Sequence, residues 1–65
     1  MAQQPEDDLP LDKRQAIFLA LVESQDSGMN VATSRTEIAK RFSVTENQVK
    51  DIEREGLSNQ WPPLD

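Results

Sequence analysis

The chain has 65 residues, a formal net charge of −5, and neither cysteine nor histidine. This length allows one domain with a small core, and the missing residue types exclude disulfides, thiolate nucleophiles and most zinc sites. There is no glycine-rich phosphate loop and no room for a sizeable pocket, so the sequence argues against an enzyme and predicts no cofactor and no metal.

The N-terminal residues and the apolar content of the chain indicate where in the cell the protein is located. No apolar run approaches the roughly 20 residues of a membrane span, and the polar, acidic start of the chain is unlike a signal peptide. Together with the absence of cysteine, these features predict a cytoplasmic protein with no membrane contact. Residues 1–10 are polar and contain Pro5 and Pro10, which predicts a disordered acidic leader.

Charge is unevenly distributed along the chain. Residues 1–12 hold four acidic residues and no basic one. Residues 34–54 hold five basic and four acidic residues, which gives this segment a net charge of +1. The acidity therefore lies mainly at the ends, and the middle of the chain is close to neutral.

A first helix is predicted over residues 12–27. Asp12 is a good N-cap residue, and Gln15 stands three positions later as its capping-box partner. An apolar face follows at helical spacing, and Gly28 can adopt the positive φ with which many helices end. Residues 29–33 are then expected to form a connector.

Two further helices are predicted over residues 34–42 and 45–56. Each begins with a capping-box pair, Ser34 with Glu37 and Thr45 with Gln48. Gly56 is expected to end the third helix. Residues 58–65 form a tail in which Trp61 is expected to fold back onto the core, the alternative being an exposed Trp61 that anchors a partner.

These signals predict an all-α protein, with a three-helix bundle over residues 11–57 that contains a helix-turn-helix. The motif needs a small residue where its two helices cross, and Ala39 has that place. Ser43 has the turn position that glycine usually occupies. The expected core residues are Ile17, Phe18, Leu21, Val22, Ile38, Ala39, Phe42, Val44, Val49 and Ile52.

Several residues of the second and third helices resemble a known family. They are Glu37-Ile-Ala39, Val44-Thr45, Val49, Ile52-Glu-Arg-Glu55 and Leu57. This pattern resembles region 4 of the sigma-70-type RNA polymerase sigma factors and covers about residues 12–57. The resemblance implies a bacterial transcription regulator whose helix-turn-helix contacts promoter DNA, with RNA polymerase as a partner. Two features depart from the family: Glu46 replaces a basic residue after the helix cap, and no basic run follows the third helix.

If the third helix enters a DNA major groove, its exposed side chains must read the bases. These side chains are Thr45, Glu46, Asn47, Lys50, Asp51 and Arg54. Asn47 suits an adenine edge, and Lys50 or Arg54 suits guanine or a phosphate. Further phosphate contacts are expected from the second helix, through Arg35, Lys40 and Arg41. A single module of this kind binds double-stranded DNA weakly, so a homodimer or a protein partner is expected to assist it.

Two alternatives remain for the same residues. They are ordinary solvated helix positions if the third helix binds nothing. A protein-interaction module on the same fold is favoured by the near-neutral third helix, because DNA affinity comes largely from neutralised phosphates. In that interpretation the acidic leader binds a basic partner, or covers the third helix in place of DNA.

Overall fold

Three α-helices make up the described part of the chain, residues 9–64 of a computed structural model. They are α1 (Leu11–Asp26), α2 (Val31–Phe42) and α3 (Glu46–Asn59). Each helix packs against the other two, and residues 9–64 contain no strand, so the predicted all-α three-helix bundle is confirmed. The leader prediction concerns mainly residues 1–8, which lie outside the described residues.

The core lies where the three helices and the C-terminal tail meet. Its buried apolar residues are Ile17, Phe18, Leu21, Ile38, Ala39, Val49, Ile52 and Trp61. Seven of the ten predicted core residues are among them, and the other three, Val22, Phe42 and Val44, are partly buried against the cluster. The tail folds back as predicted, because Trp61 meets Phe18 edge-on with ring centroids 5.9 Å apart and an interplanar angle of 81°. This T-shaped geometry is one that aromatic pairs prefer.

The start of α1 differs from the prediction. The helix begins at Leu11, and Pro10 occupies the N-cap position with a φ of −66° and no side-chain hydrogen bond. The Pro10 carbonyl accepts the first helical bond from the Arg14 amide at 3.0 Å. Asp12 therefore lies in the first turn, where a negative charge interacts favourably with the helix dipole. The predicted Asp12–Gln15 capping box is wrong.

The start of α2 also differs, because the helix begins three residues before the predicted position. Asn30 is its N-cap, and the Asn30 side-chain oxygen accepts a hydrogen bond from the Thr33 amide at 2.8 Å. Asparagine and serine are about equally good caps, so capping preference alone does not distinguish Asn30 from Ser34. Residues 31–33 consequently belong to α2 rather than to a connector.

Ser34 has a different role from the predicted cap. It is fully buried inside α2, where its hydroxyl donates to the Val31 carbonyl at 2.8 Å and accepts from Gln25 of α1 at 3.1 Å. The predicted Ser34–Glu37 capping box is therefore wrong. The hydroxyl instead satisfies a polar contact between α1 and α2, as a buried polar group must.

At α3 the predicted start is confirmed and the predicted end is wrong. The Thr45 hydroxyl accepts from the Gln48 amide at 3.0 Å, and the Gln48 side chain accepts from the Thr45 amide at 2.7 Å, which completes the capping box. Gly56 does not end the helix, which continues to Asn59. Gly56 is buried where any Cβ would overlap the ring of Phe18. The glycine is needed for the close approach of α1 and α3.

Each of the three helices is followed within two residues by a residue in the left-handed region. The φ values are +108° at Gly28, +58° at Ser43 and +53° at Gln60. Each time, the next amide donates to the carbonyl five residues earlier: Met29 to Ser24, Val44 to Ala39, and Trp61 to Gly56. These bonds form the Schellman pattern of helix ends. Gly28 thus has its predicted place, and the third instance turns Trp61 back toward the core.

Candidate nucleic-acid interface

α2, a three-residue turn and α3 form the predicted helix-turn-helix. Ser43 makes the reversal in the left-handed region, and Val44 is partly buried against the core. Ala39 is buried in α2, as the predicted crossing residue must be. Val49 and Ile52 turn the inner side of α3 to the core, which leaves the opposite side of the helix to solvent.

The solvent side of α3 carries every predicted DNA-reading residue. The buried positions of the helix are Gln48, Val49, Ile52 and Gly56. The exposed residues Thr45, Glu46, Asn47, Lys50, Asp51 and Arg54 form a surface that we call the outer face of α3. At 3.6 residues per turn, positions 47, 50, 51 and 54 follow one another along one side of the helix. The structure therefore brings the six residues together.

Some outer-face side chains already have intramolecular partners. Thr45 caps α3, and Glu46 accepts a hydrogen bond from the Thr36 hydroxyl of α2 at 3.0 Å. Asp51 and Arg54 approach each other at 3.9 Å, although both side chains are more than half exposed. Such an exposed pair contributes little stability and leaves both groups accessible.

Asn47 and Lys50 differ from these residues. Within residues 9–64, neither side chain makes a hydrogen bond or an ion pair, and both residues are exposed. The amide of Asn47 and the ammonium of Lys50 are therefore available to an external ligand. They lie three positions apart, close enough for adjacent contacts on one ligand surface.

The predicted phosphate-contacting residues of α2 do not behave alike. Lys40 and Arg41 are exposed in the last turn, where positive charge is favoured by the helix dipole. Arg35 is engaged instead, because its Nε and Nη2 both donate to the Glu53 Oε1 atom of α3, at 3.0 Å and 2.8 Å. The charge of Arg35 is thus neutralised in this structure.

An open depression lies between α2 and α3 next to the outer face. Its volume is about 290 Å³, and it is lined by Arg35, Lys50, Glu53, Arg54 and Leu57. Sequence reasoning missed Glu53 and Leu57 as site residues. Their spacing contained the signal, since positions 50, 53, 54 and 57 share one edge of a helix. Three cations, one anion and a 56% exposed leucine meet there.

A third ion pair lies on the other side of α3. Arg14 of α1 donates through Nη1 to Glu55 Oε2 at 2.6 Å, with side chains 29% and 33% exposed. The Arg14 Nε atom is buried and has no hydrogen-bond partner in the described part of the chain. The pair attaches the start of α1 to α3 and does not line the depression.

The outer face is electrically balanced. Lys50 and Arg54 supply two positive charges, and Glu46 and Asp51 supply two negative charges, so the sum is zero. Attraction to phosphate must therefore come from the placement of individual cations rather than from a uniformly positive surface.

No protein-family model, no curated protein and no solved structure matches this chain. Among residues 9–64, no helix is both long and apolar enough to cross a membrane.

Proposed function

We propose that this protein binds double-stranded DNA through the outer face of α3 and regulates transcription in the cytoplasm of a bacterial cell, in the manner of sigma region 4. The observation that carries the proposal is the common exposure of the six predicted residues on a firmly capped helix. Asn47 and Lys50 support it further, because their polar groups are unused by the fold.

Each outer-face residue has a role that follows from its chemistry. Asn47 pairs with an adenine edge in the major groove, and Lys50 reaches guanine or a phosphate. Arg54 lies seven residues after Asn47 on the same side of α3 and contacts the phosphate backbone of the DNA. Lys40 and Arg41 neutralise phosphates from α2.

The balanced charge of the outer face predicts weak, salt-sensitive binding. A single module with few phosphate contacts is expected in the range of non-specific complexes, with Kd of about 10⁻⁴ to 10⁻⁶ M at physiological salt. Tighter binding requires a second module, supplied by a homodimer or by a partner such as RNA polymerase.

A salt titration tests the proposal directly. Amide NMR shifts of α3 are followed as mixed-sequence duplex DNA is added at several salt concentrations. We expect shifts at Asn47, Lys50 and Arg54, and we expect Lys50→Ala to reduce the slope of log K against log salt by about 0.9.

Lys13→Ala is the matched control for Lys50→Ala. Lys13 is an exposed lysine of α1, outside the helix-turn-helix, so its removal changes net charge equally without touching the outer face. Equal effects of the two substitutions would mean that DNA affinity depends only on the net charge of the protein and not on the position of Lys50. Absence of any shift at low salt would refute DNA binding through α3.

A protein-interaction module is the second candidate. It is favoured by Leu57, which is 56% exposed at the edge of the depression beside a face of zero net charge. In this case the chain binds another protein, or a second copy of itself, and DNA causes no shifts. Self-association measured by sedimentation, and weakened by Leu57→Ser, would support this candidate over DNA binding.

A further inference from the structure

The Arg35–Glu53 pair stands out among the contacts of the helix-turn-helix. Two guanidinium nitrogens converge on one carboxylate oxygen, at 3.0 Å and 2.8 Å. The guanidinium fork is suited to acceptors with closely spaced oxygens, and both carboxylate and phosphate fit it. Arg35 is therefore bound to an internal group that has the same recognition chemistry as a phosphate.

The surroundings of the pair favour an anion. Lys50 and Arg54 line the same depression as Arg35, and among residues 9–64 Glu53 is the one acidic residue of its lining. If Glu53 turned away from Arg35, three cations would face the open space. The lining of the depression thus has the composition expected of an anion site, with one acidic side chain of the protein bonded to one of its cations.

We infer that Glu53 is an internal competitor for phosphate and that Arg35 is a latent phosphate-binding residue. A phosphodiester group of duplex DNA replaces Glu53 on the Arg35 guanidinium, while Lys50 and Arg54 hold the same strand. This inference rests on the proposed DNA binding for its biological ligand, but the anion site itself can be tested without DNA.

Exposure makes this replacement feasible. The side chains of Arg35 and Glu53 are 28% and 19% exposed, so solvent and ligands have access to the pair from the open side. A doubly contacted phosphate compensates for the lost carboxylate. Exchange of one oxyanion for another then leaves the charge of Arg35 paired throughout.

A double-mutant cycle tests the inference, with the wild type, Arg35→Gln, Glu53→Gln and the double variant. Duplex affinity and its salt slope are measured for each. Arg35→Gln alone should change Kd less than about twofold, because in the wild type a phosphate gains its contact with Arg35 only by displacing Glu53. Glu53→Gln should lower Kd roughly fivefold to tenfold at 0.1 M salt and steepen the slope by about 0.9. Adding Arg35→Gln should remove that gain.

Glu55→Gln is the matched control for Glu53→Gln. It also removes one carboxylate from α3 and breaks an ion pair, with Arg14, but outside the depression. We expect no steeper slope for this variant. Equal gains in DNA affinity from Glu53→Gln and Glu55→Gln would overturn the inference, and so would additive effects in the cycle. Either result would be explained by the change in net charge alone.

Titration with inorganic pyrophosphate separates this inference from the proposed function. In Glu53→Gln, the side-chain Nε–H signals of Arg35 and Arg54 should both shift, whereas in the wild type the Arg35 signal should respond much less. Such shifts without DNA binding by any variant would support the anion site and refute the proposed function. An unresponsive Arg35 signal in Glu53→Gln would overturn the inference whatever DNA does.

Discussion

The two sides of α3 differ in what the fold demands of them. On the side facing α1, Gly56 leaves room for the ring of Phe18, and Trp61 closes over that ring from the tail. On the outer face, the side chains of Asn47 and Lys50 make no hydrogen bond or ion pair within the described part of the chain. The inner side is fixed by shape, because Gly56 has no room for even one additional methyl group, whereas the polar groups of Asn47 and Lys50 are not used by the fold. Residues that the fold does not need are the ones available for recognition.

The inner side matters more here than in a larger protein. A domain of this size buries only about 60% of the surface that its unfolded chain exposes and is marginally stable. Its two buried aromatic rings belong to one pair, Phe18 and Trp61. A change at that pair should therefore affect the whole fold, whereas changes at the outer-face residues Asn47, Lys50 and Asp51 should affect mainly binding.

The largest expected effect is at Trp61. Trp61→Ala removes one ring of the aromatic pair and opens a cavity over Phe18, so unfolding free energy should fall by about 3–5 kcal/mol. Thermal and urea melts followed by circular dichroism measure the loss. Leu64→Ala, at an exposed position of the same tail, should change little. A Trp61→Ala protein as stable as the wild type would remove the tail from the core.

Gly56→Ala tests how tightly α1 and α3 approach. Alanine favours helix by about 1 kcal/mol over glycine, but its Cβ would overlap the Phe18 ring. We expect overpacking to win, with a net loss of about 1–3 kcal/mol in urea unfolding. Ser58→Ala, at an exposed site of the same helix, should be neutral or slightly stabilising. Stabilisation by Gly56→Ala would contradict the close approach.

A substitution in the turn between α2 and α3 should have a smaller effect on stability, and of opposite sign. Ser43 has a φ of +58°, a conformation that glycine adopts without a Cβ penalty. Ser43→Gly should raise the unfolding free energy by about 0.5–1 kcal/mol, read from the midpoint of a urea melt. Gly28→Ser is the reverse change at a matching helix end and should destabilise. A loss of stability in Ser43→Gly would show that the serine has a contact beyond its backbone conformation.

The smallest stability effects are expected on the outer face. Asn47→Ala and Asp51→Ala remove exposed side chains, and each should change unfolding free energy by less than about 0.5 kcal/mol. Asn47→Ala should nevertheless weaken binding to duplex DNA, while Asp51→Ala should strengthen it by removing a negative charge. A large loss of stability from either change would mean that the outer face is needed by the fold, and the contrast between the two sides would fail.

Local signals in the sequence were sufficient to predict the structure where a residue had only one favourable local conformation or role. The apolar spacing of Ile17, Phe18 and Leu21 predicted a buried face, and the Thr45–Gln48 pair predicted the start of α3. Gly28 predicted the end of α1. In each case the physical cause acts within a few neighbouring residues, so the tertiary environment had nothing to change. The exposure of the six outer-face residues followed from the same periodicity.

Tertiary packing determined the structure where several local conformations had similar free energy. It also determined the contacts of residues whose partners are distant in sequence. Asn30 and Ser34 are comparable caps, and the burial of Ser34 against Gln25 accompanies the choice of Asn30. Glycine is a residue typical of helix ends, yet Gly56 lies inside α3. There it packs against Phe18, which is 38 positions earlier in the chain. The approach of α2 to α3 likewise gave Arg35 its partner, Glu53, which local spacing could not reveal because the two residues lie 18 positions apart.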